Sequence, residues 1–341
     1  MQEPAAGTAA DGATHSGGRT PDVVCLGETM AMVTPSPPRP LAEARTLALS
    51  QGGAESNVAV WLARLGYPVS WCSRLGDDVL GRRVLAEVTA AGVDTSLVEL
   101  DGGAPTGVYF KDPQPGATSV LYYRAGSAAA RMDERDADRA LGRPVRLLHL
   151  TGITPALSDS CARAVDHAIT RAAQLGVTVS FDVNYRAALW PSPDAAAATL
   201  GRLARRCGIV FIGCDEASLL WGATTVPDIW AAVGSPGTLV VKDGPRAARS
   251  TDDGISVTSA AALPVEVVEP VGAGDAFAAG WLYAWLRDLP SAARLRLGHL
   301  IASSALGSAT DHGELPSSPA ELEELARSGQ AWPELTPAGD Q

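Results

Sequence analysis

From Arg146 to Gly244 the chain repeats one pattern: a short apolar run, a longer segment of helical periodicity, then another apolar run. "RLLHLTG", "VTVSFDVN", "IVFIG" and "TLVVKDG" are the apolar runs. "CARAVDHAITRAAQLG", "AAAATLGRLARRCG" and "DEASLLWG" lie between them. Near-continuous apolar strands are buried on both faces, and strands joined through helices run parallel. The stretch therefore predicts an α/β architecture, a mostly parallel sheet covered by helices on both sides. Sheets of this kind bind ligands beyond the C-terminal ends of their strands. Gly152, Asp182, Asn184, Arg186, Gly213, Lys242 and Gly244 fall at those ends.

The first half starts the same way. "DVVCLGE" and "VSWCSRLG" read as strands, and "SNVAVWLARLG" and "VLGRRVLAEVTAAG" as the helices that follow, the first placing Val58, Leu62 and Leu65 on one face before Gly66 stops it. "TGVYF" and "SVLYYR" break the pattern. They alternate around the turn-rich "KDPQPGA" and read as a hairpin, which a helix-covered parallel sheet cannot hold. Ala104 to Arg124, together with Met32 to Ser50, is therefore assigned to a small antiparallel sheet standing off the main body.

The chain has 341 residues, 46% of them hydrophobic, enough for one large core. Its 27 Lys+Arg against 38 Asp+Glu give a net charge of −11, with no basic run to recruit nucleic acid or an anionic membrane. Cys25, Cys72, Cys161, Cys207 and Cys214 lack CxxC spacing, so they are read as reduced thiols rather than bridges or zinc ligands. No apolar segment approaches membrane-spanning length, and residues 1–20 lack the pattern of a signal peptide. A soluble, cytoplasmic protein is expected. Residues 1–20 are expected to form a disordered tail, 21–330 a single domain and 331–341 a frayed end.

The candidate chemistry centres on "VEPVGAGDAFAAGWL". Gly272 and Gly274 let a polyanion approach the backbone, and a helix beginning at about Ala273 would offer it unpaired N–H groups. Asp275 there either caps the helix or accepts a proton from an alcohol attacking a bound phosphate. "SQGGAESNVAV" supplies a second glycine pair before a helix, with Ser56 and Asn57 as candidate partners for sugar hydroxyls, though an ordinary helix start is favoured for Ser56. "LYYRAGSA" and "DVNYRAALW" each end a strand with an aromatic residue beside an arginine, whose fork of N–H donors suits a carboxylate or phosphate. His149, inside an apolar strand, reads as a core histidine, and Trp61, Trp71, Trp281 and Trp285 as packing. Neither a P-loop nor a strand-borne GxGxxG is present.

Taken in order, "GGAESNVAVWLARLG", "SRLGDDVLGRRVLAEVTAAGVDTS", "VSFDVNYRAALW", "VVKDG" and "VGAGDAFAAGW" resemble the ribokinase (phosphofructokinase B type) family of carbohydrate kinases, from Val23 to about Leu315. "TGVYF", "YYRAGSAAA", "LHLTGIT" and "NYRAALW" are most similar to its 2-keto-3-deoxygluconate kinases. The resemblance implies a ribokinase-like sheet with a β-lid that closes over the sugar and often forms a dimer interface. It implies ATP and Mg²⁺, with K⁺ as a possible further ion, and phosphorylation of the sugar acid's 6-hydroxyl. By the same resemblance Asp275 is the general base, and the N–H groups of Gly272, Ala273 and Gly274 form an anion hole. Gly53, Asn57, Tyr109, Tyr122, Arg124, Ile153, Arg186 and Asp311 surround the sugar. Lys242 and Gly244 lie with Gly272 and Gly274 on the nucleotide side, and Glu216 serves the metal.

Three departures from the family pattern stand out. Glu269 and Pro270 replace the usual Asp-Thr before the glycine loop, which puts a monovalent-cation site in doubt. Gly213 replaces the Asn of Asn-x-x-Glu, and Ala247 interrupts K-x-G-x-x-G. Two arginines favour a sugar acid over a neutral polyol, which Asp and Asn would grip better. A kinase for fructose or a related deoxy keto-acid sugar, or a catalytically silent sugar-binding regulator, is the alternative.

Overall fold

The computed structural model describes residues 22–114, 117–308, 310–329 and 332. The expected tails at 1–20 and 331–341 lie, apart from Trp332, outside the described residues. The chain opens with β1 (Val23–Leu26), β2 (Met30–Pro35), β3 (Leu47–Gly52), α1 (Ala54–Arg64), β4 (Val69–Gly76), α2 (Val79–Ala90) and β5 (Asp94–Asp101). The hairpin follows as β6 (Val108–Gln114) and β7 (Ala117–Tyr123), then α3 (Glu134–Ala140). The alternating stretch becomes β8 (Leu147–Thr151), α4 (Asp159–Leu175), β9 (Thr178–Asp182), α5 (Pro193–Ala204), β10 (Ile209–Gly213), α6 (Cys214–Trp221), α7 (Val226–Ala232) and β11 (Thr238–Asp243). A β-ribbon, β12 (Ala247–Thr251) and β13 (Thr258–Ala261), leads to α8 (Ala273–Leu286), α9 (Ser291–Leu306) and α10 (Pro319–Ser328).

Nine strands form the main sheet in the order β13-β12-β11-β10-β9-β8-β1-β4-β5. Every pairing from β11 to β5 is parallel, and only β12 and β13 add antiparallel edges. Successive side chains of one strand enter opposite faces. Phe211 joins Trp61, Trp71 and Trp281 in one cluster, whereas Val210 and Ile212 join Phe181 and Leu150 in the other. That two-sided burial is why these strands read as unbroken apolar runs. His149 sits inside this core as expected: its Nδ1 lies 2.8 Å from Ser180 Oγ, and burial lowers its pKa to about 4. Four of the five cysteines are buried and all are free, and burial pushes each thiol up.

The smaller sheet has the order β3-β2-β6-β7. It consists of two antiparallel hairpins joined by a parallel seam between β2 and β6. Its strands reach slightly beyond Met32 to Ser50, from Met30 to Gly52. The hairpin differs from expectation in one respect. "KDPQ" extends β6, pairing Lys111 with Val120 and Gln114 with Ala117, so these residues are not turn. Among the described residues no helix is long and apolar enough to cross a membrane.

Candidate active site

Helix α8 is buried almost throughout, from Ala276 to Ala284, because its sequence is apolar on every side. Its N-terminus therefore has a fixed place, at the C-terminal ends of the main strands. Gly272 caps it at φ +89°, a left-handed conformation natural only to glycine, and an added Cβ would sit 3.1 Å from Asp311. The N–H of Ala273 makes only a long bond, 3.4 Å, to the Pro270 carbonyl, which leaves it available to a stronger acceptor.

Asp275 does not cap this helix. Its Oδ2 accepts a hydrogen bond from Asn57 Nδ2 on α1 at 2.9 Å, and its Oδ1 lies 3.5 Å from Asn184 Nδ2, just past β9. Burial raises the pKa of the carboxyl to about 7. The Asn57 bond opposes that rise, the Asp182 carboxylate adds to it, and Arg186 and Lys242 oppose it. A carboxyl that is half protonated near neutrality, facing open space above a helix N-terminus, is suited to general-base work.

That open space is a cleft of about 540 Å³. Gly53, Asn57, Tyr109, Tyr122, Arg124, Ile153, Arg186 and Asp311 all line it, together with Gly272, Gly274, Asp275, Lys242 and Glu216. Gly53 must be glycine, since a Cβ would stand 2.2 Å from the Glu28 carbonyl oxygen. Ser56 is not part of the cleft: its Oγ bonds back to Gly53 O at 3.0 Å, the ordinary helix start. The two arginines differ. Arg124 is buried and pairs with the Glu28 carboxylate, which also accepts from Ser127 Oγ at 3.0 Å. Arg186 is exposed at the cleft and bonds only to the Tyr185 carbonyl, 3.1 Å, among the described residues. Among the described residues it has no ion-pair partner, although its charge reaches the Asp275 carboxyl.

A second cavity, of about 590 Å³, shares Lys242, Pro270 and Gly274 with the first. Gly244, Ala273, Ala248, Leu263, Val265 and Ala302 give it an apolar lining suited to a flat ring. Lys242 Nζ stands 2.6 Å from Asp182 Oδ2. Burial works against the ammonium, but Asp182 and Glu216 outweigh it and raise its pKa, so it is fully charged.

No cluster of three or more metal-ligating side chains occurs among the described residues. Each Glu216 oxygen accepts one backbone N–H, from Tyr185 at 2.7 Å and Gly213 at 2.8 Å, and keeps a further lone pair for a metal or its water. Asp182 Oδ1 is buried without a hydrogen-bond partner. This donor set fits Mg²⁺, which keeps several waters and needs only one or two carboxylates beside substrate phosphates.

Comparison with known proteins decides the family. The model of the pfkB family carbohydrate kinases matches residues 20–317. The chain belongs to this family. Among its relatives, 2-dehydro-3-deoxygluconokinase of Thermoproteus tenax is 35% identical over 89% of this chain and 94% of its own length. 2-Dehydro-3-deoxygalactonokinase of Haloferax volcanii is 33% identical over 92% of this chain and 98% of its own. The crystal structure of a PfkB protein from Polaromonas sp. JS666 superposes with a TM-score of 0.80 at 35% identity, over 89% of this chain and 99% of the other. The protein is thus a sugar kinase with the ribokinase-like fold.

Several groups in the PfkB site escape sequence reasoning. Glu28 and Glu55 both line the cleft. Burial lifts Glu55 to a pKa of about 7 against hydrogen bonds from Thr151 and Thr154, each 2.8 Å. Lys111 is wholly buried and ion-paired to Asp311. Only Lys111 left a usable signal: two residues after Tyr109, it shares that residue's face of β6.

Proposed function

We propose that this PfkB kinase transfers the γ-phosphoryl group of ATP to the 6-hydroxyl of 2-keto-3-deoxygluconate. The observation that carries the reading is Asp275, with a pKa near 7, in a cleft where Arg186 presents a cation with no ion-pair partner among the described residues. The Thermoproteus relative's name supports the same sugar acid. In the reaction the sugar's 6-oxygen bonds to phosphorus while the bond from phosphorus to the ADP oxygen breaks. The hydroxyl proton passes to Asp275. The N–H groups of Gly272, Ala273 and Gly274 stabilise charge on the transferring phosphoryl group, and Lys242 adds a positive charge on the nucleotide side. Mg²⁺, served by Glu216 and Asp182, would neutralise the nucleotide phosphates. Tyr109, Tyr122, Ile153, Gly53, Asn57 and Asp311 shape the sugar side, and Arg186 binds the carboxylate.

The test compares kcat/KM for 2-keto-3-deoxygluconate, its galactonate epimer and fructose. Preference for the gluconate acid is expected, and preference for fructose refutes the carboxylate reading. Asp275→Asn is expected to lower kcat by about 10²–10⁴. In wild type, kcat/KM should rise with pH up to about 7 and then level, because only ionised Asp275 accepts the proton. Activity that falls across that range would exclude Asp275 as base.

The smaller sheet is assigned a second role, as the interface of a homodimer. Leu47, Leu49, Leu121 and Tyr123 leave an apolar outer surface on it.

A further inference from the structure

One charged group beside the phosphate loop has no part in the mechanism above. Lys111 is the only lysine of β6, and its side chain is 0% exposed. Its Nζ lies 2.8 Å from Asp311 Oδ1 and 3.8 Å from Glu269 Oε2. Both carboxylates touch the phosphate loop. Glu269 Oε1 accepts from the N–H of Val271 at 3.1 Å, and Asp311 packs against Gly272. Asp311 Oδ2 also accepts from Asn57 Nδ2 at 3.2 Å, the same amide that holds Asp275. The smaller sheet adds Tyr109 OH, 3.3 Å from Asp311 Oδ2, and Thr118 Oγ1, 3.3 Å from Glu269 Oε2.

A buried carboxylate pair needs a cation, since two unpaired charges out of water are costly. In this chain the cation is covalently attached and comes from the smaller sheet. The oxygens that a K⁺ ion beside the loop would use already face an ammonium, so the residues present do not fit such an ion. We propose that Lys111 is a built-in substitute for a monovalent cation. It positions the Gly272–Gly274 loop through Glu269 and Asp311, and it ties the loop's order to the seating of the smaller sheet. Lys111 is a positioning residue, because it reaches the reacting atoms only through these two carboxylates.

The inference rests on the kinase reading for its catalytic consequence, so the test has one arm independent of turnover. In the first arm, thermal unfolding of wild type should be the same in K⁺ and tetramethylammonium salts at equal ionic strength. Lys111→Ala should be stabilised by K⁺ or NH₄⁺ relative to tetramethylammonium, as a ligand of the folded state stabilises it. In the second arm, wild-type kcat should be unchanged between those salts, whereas Lys111→Ala should lose about tenfold or more in kcat with a smaller change in sugar KM. NH₄⁺ or methylammonium should restore part of that loss.

Wild-type protein that gains stability or activity specifically from K⁺ overturns the proposal, and that outcome needs no variant to fold. So does a folded Lys111→Ala that keeps wild-type kcat, or that no amine or K⁺ rescues. Absence of turnover with every sugar would instead refute the kinase reading, leaving the thermal arm to decide on Lys111.

Discussion

The two sheets of this molecule invert each other's chemistry. In the main sheet apolar side chains fill both faces apart from a few buried polar groups such as His149 and Ser180, and the charged groups Asp182 and Lys242 lie at the strand ends with Asn184. In the smaller sheet Tyr109 and Tyr122, with Arg124 just past β7, face the cleft and Lys111 is buried on the same side, while Leu47, Leu49, Leu121 and Tyr123 are exposed outside. Its own buried apolar cluster is Met30, Met32 and Tyr109. So small a cluster cannot hold a sheet by burial alone. The smaller sheet borrows apolar contact from the body, where Ala31 and Val108 meet the main core, and adds directional pairs, Lys111 to Asp311 and Arg124 to Glu28. Stability and recognition are thus separated: the body supplies a rigid frame, and the smaller sheet brings groups whose pairing depends on where it sits.

Substitution in the core of the body costs the most. Phe211→Ala removes a ring packed edge-to-face on Trp281 at 5.3 Å, and unfolding in denaturant should show a loss of about 3–5 kcal/mol. A loss near zero would mean the body is not the frame. Next comes the cleft. Arg186→Ala should reduce kcat/KM for the sugar acid by about 10–100-fold and leave any activity on fructose nearly unchanged, since a hydrogen bond to a charged group contributes about 1.5–3 kcal/mol. Equal loss on both sugars would assign Arg186 to the phosphate or to Asp275, whose pKa it holds down, rather than to the substrate carboxylate. The smallest energetic effect belongs to the outer face. Leu49→Ser with Leu121→Ser should change the unfolding free energy of the isolated protomer by no more than about 0.5 kcal/mol for each substitution, yet shift the mass by light scattering from dimer to monomer. Wild type that is already a monomer refutes the interface.

Much of the fold was legible because the signals are local. Apolar runs bounded by Gly and Asp gave β8 to β11 and their helices, and the glycines before Asp275 marked the start of α8 at Ala273. The assembly of Gly53, Asn57, Arg186 and Asp275 around one cleft followed from motif order and from where strand ends meet in such sheets. The strand character of "KDPQ" was hidden, because Lys, Asp and Pro are disfavoured in strands and the burial of Lys111 comes from its ion pairs rather than from an apolar core. Glu28 and Glu55 gave no signal either. Nothing in the sequence around a single acid states whether it will be drawn into a cleft.

Backbone periodicity, the helix start at the glycine loop and the residue types available for catalysis were determined by the sequence alone, since each is decided within a few residues. Which charge meets which was decided only by the tertiary structure. Lys111 finds Asp311 across 200 positions, and Arg124 finds Glu28 across 96. Electrostatic partnership depends on distance in space and on exclusion of water, and neither is encoded in the neighbours of a charged residue along the chain.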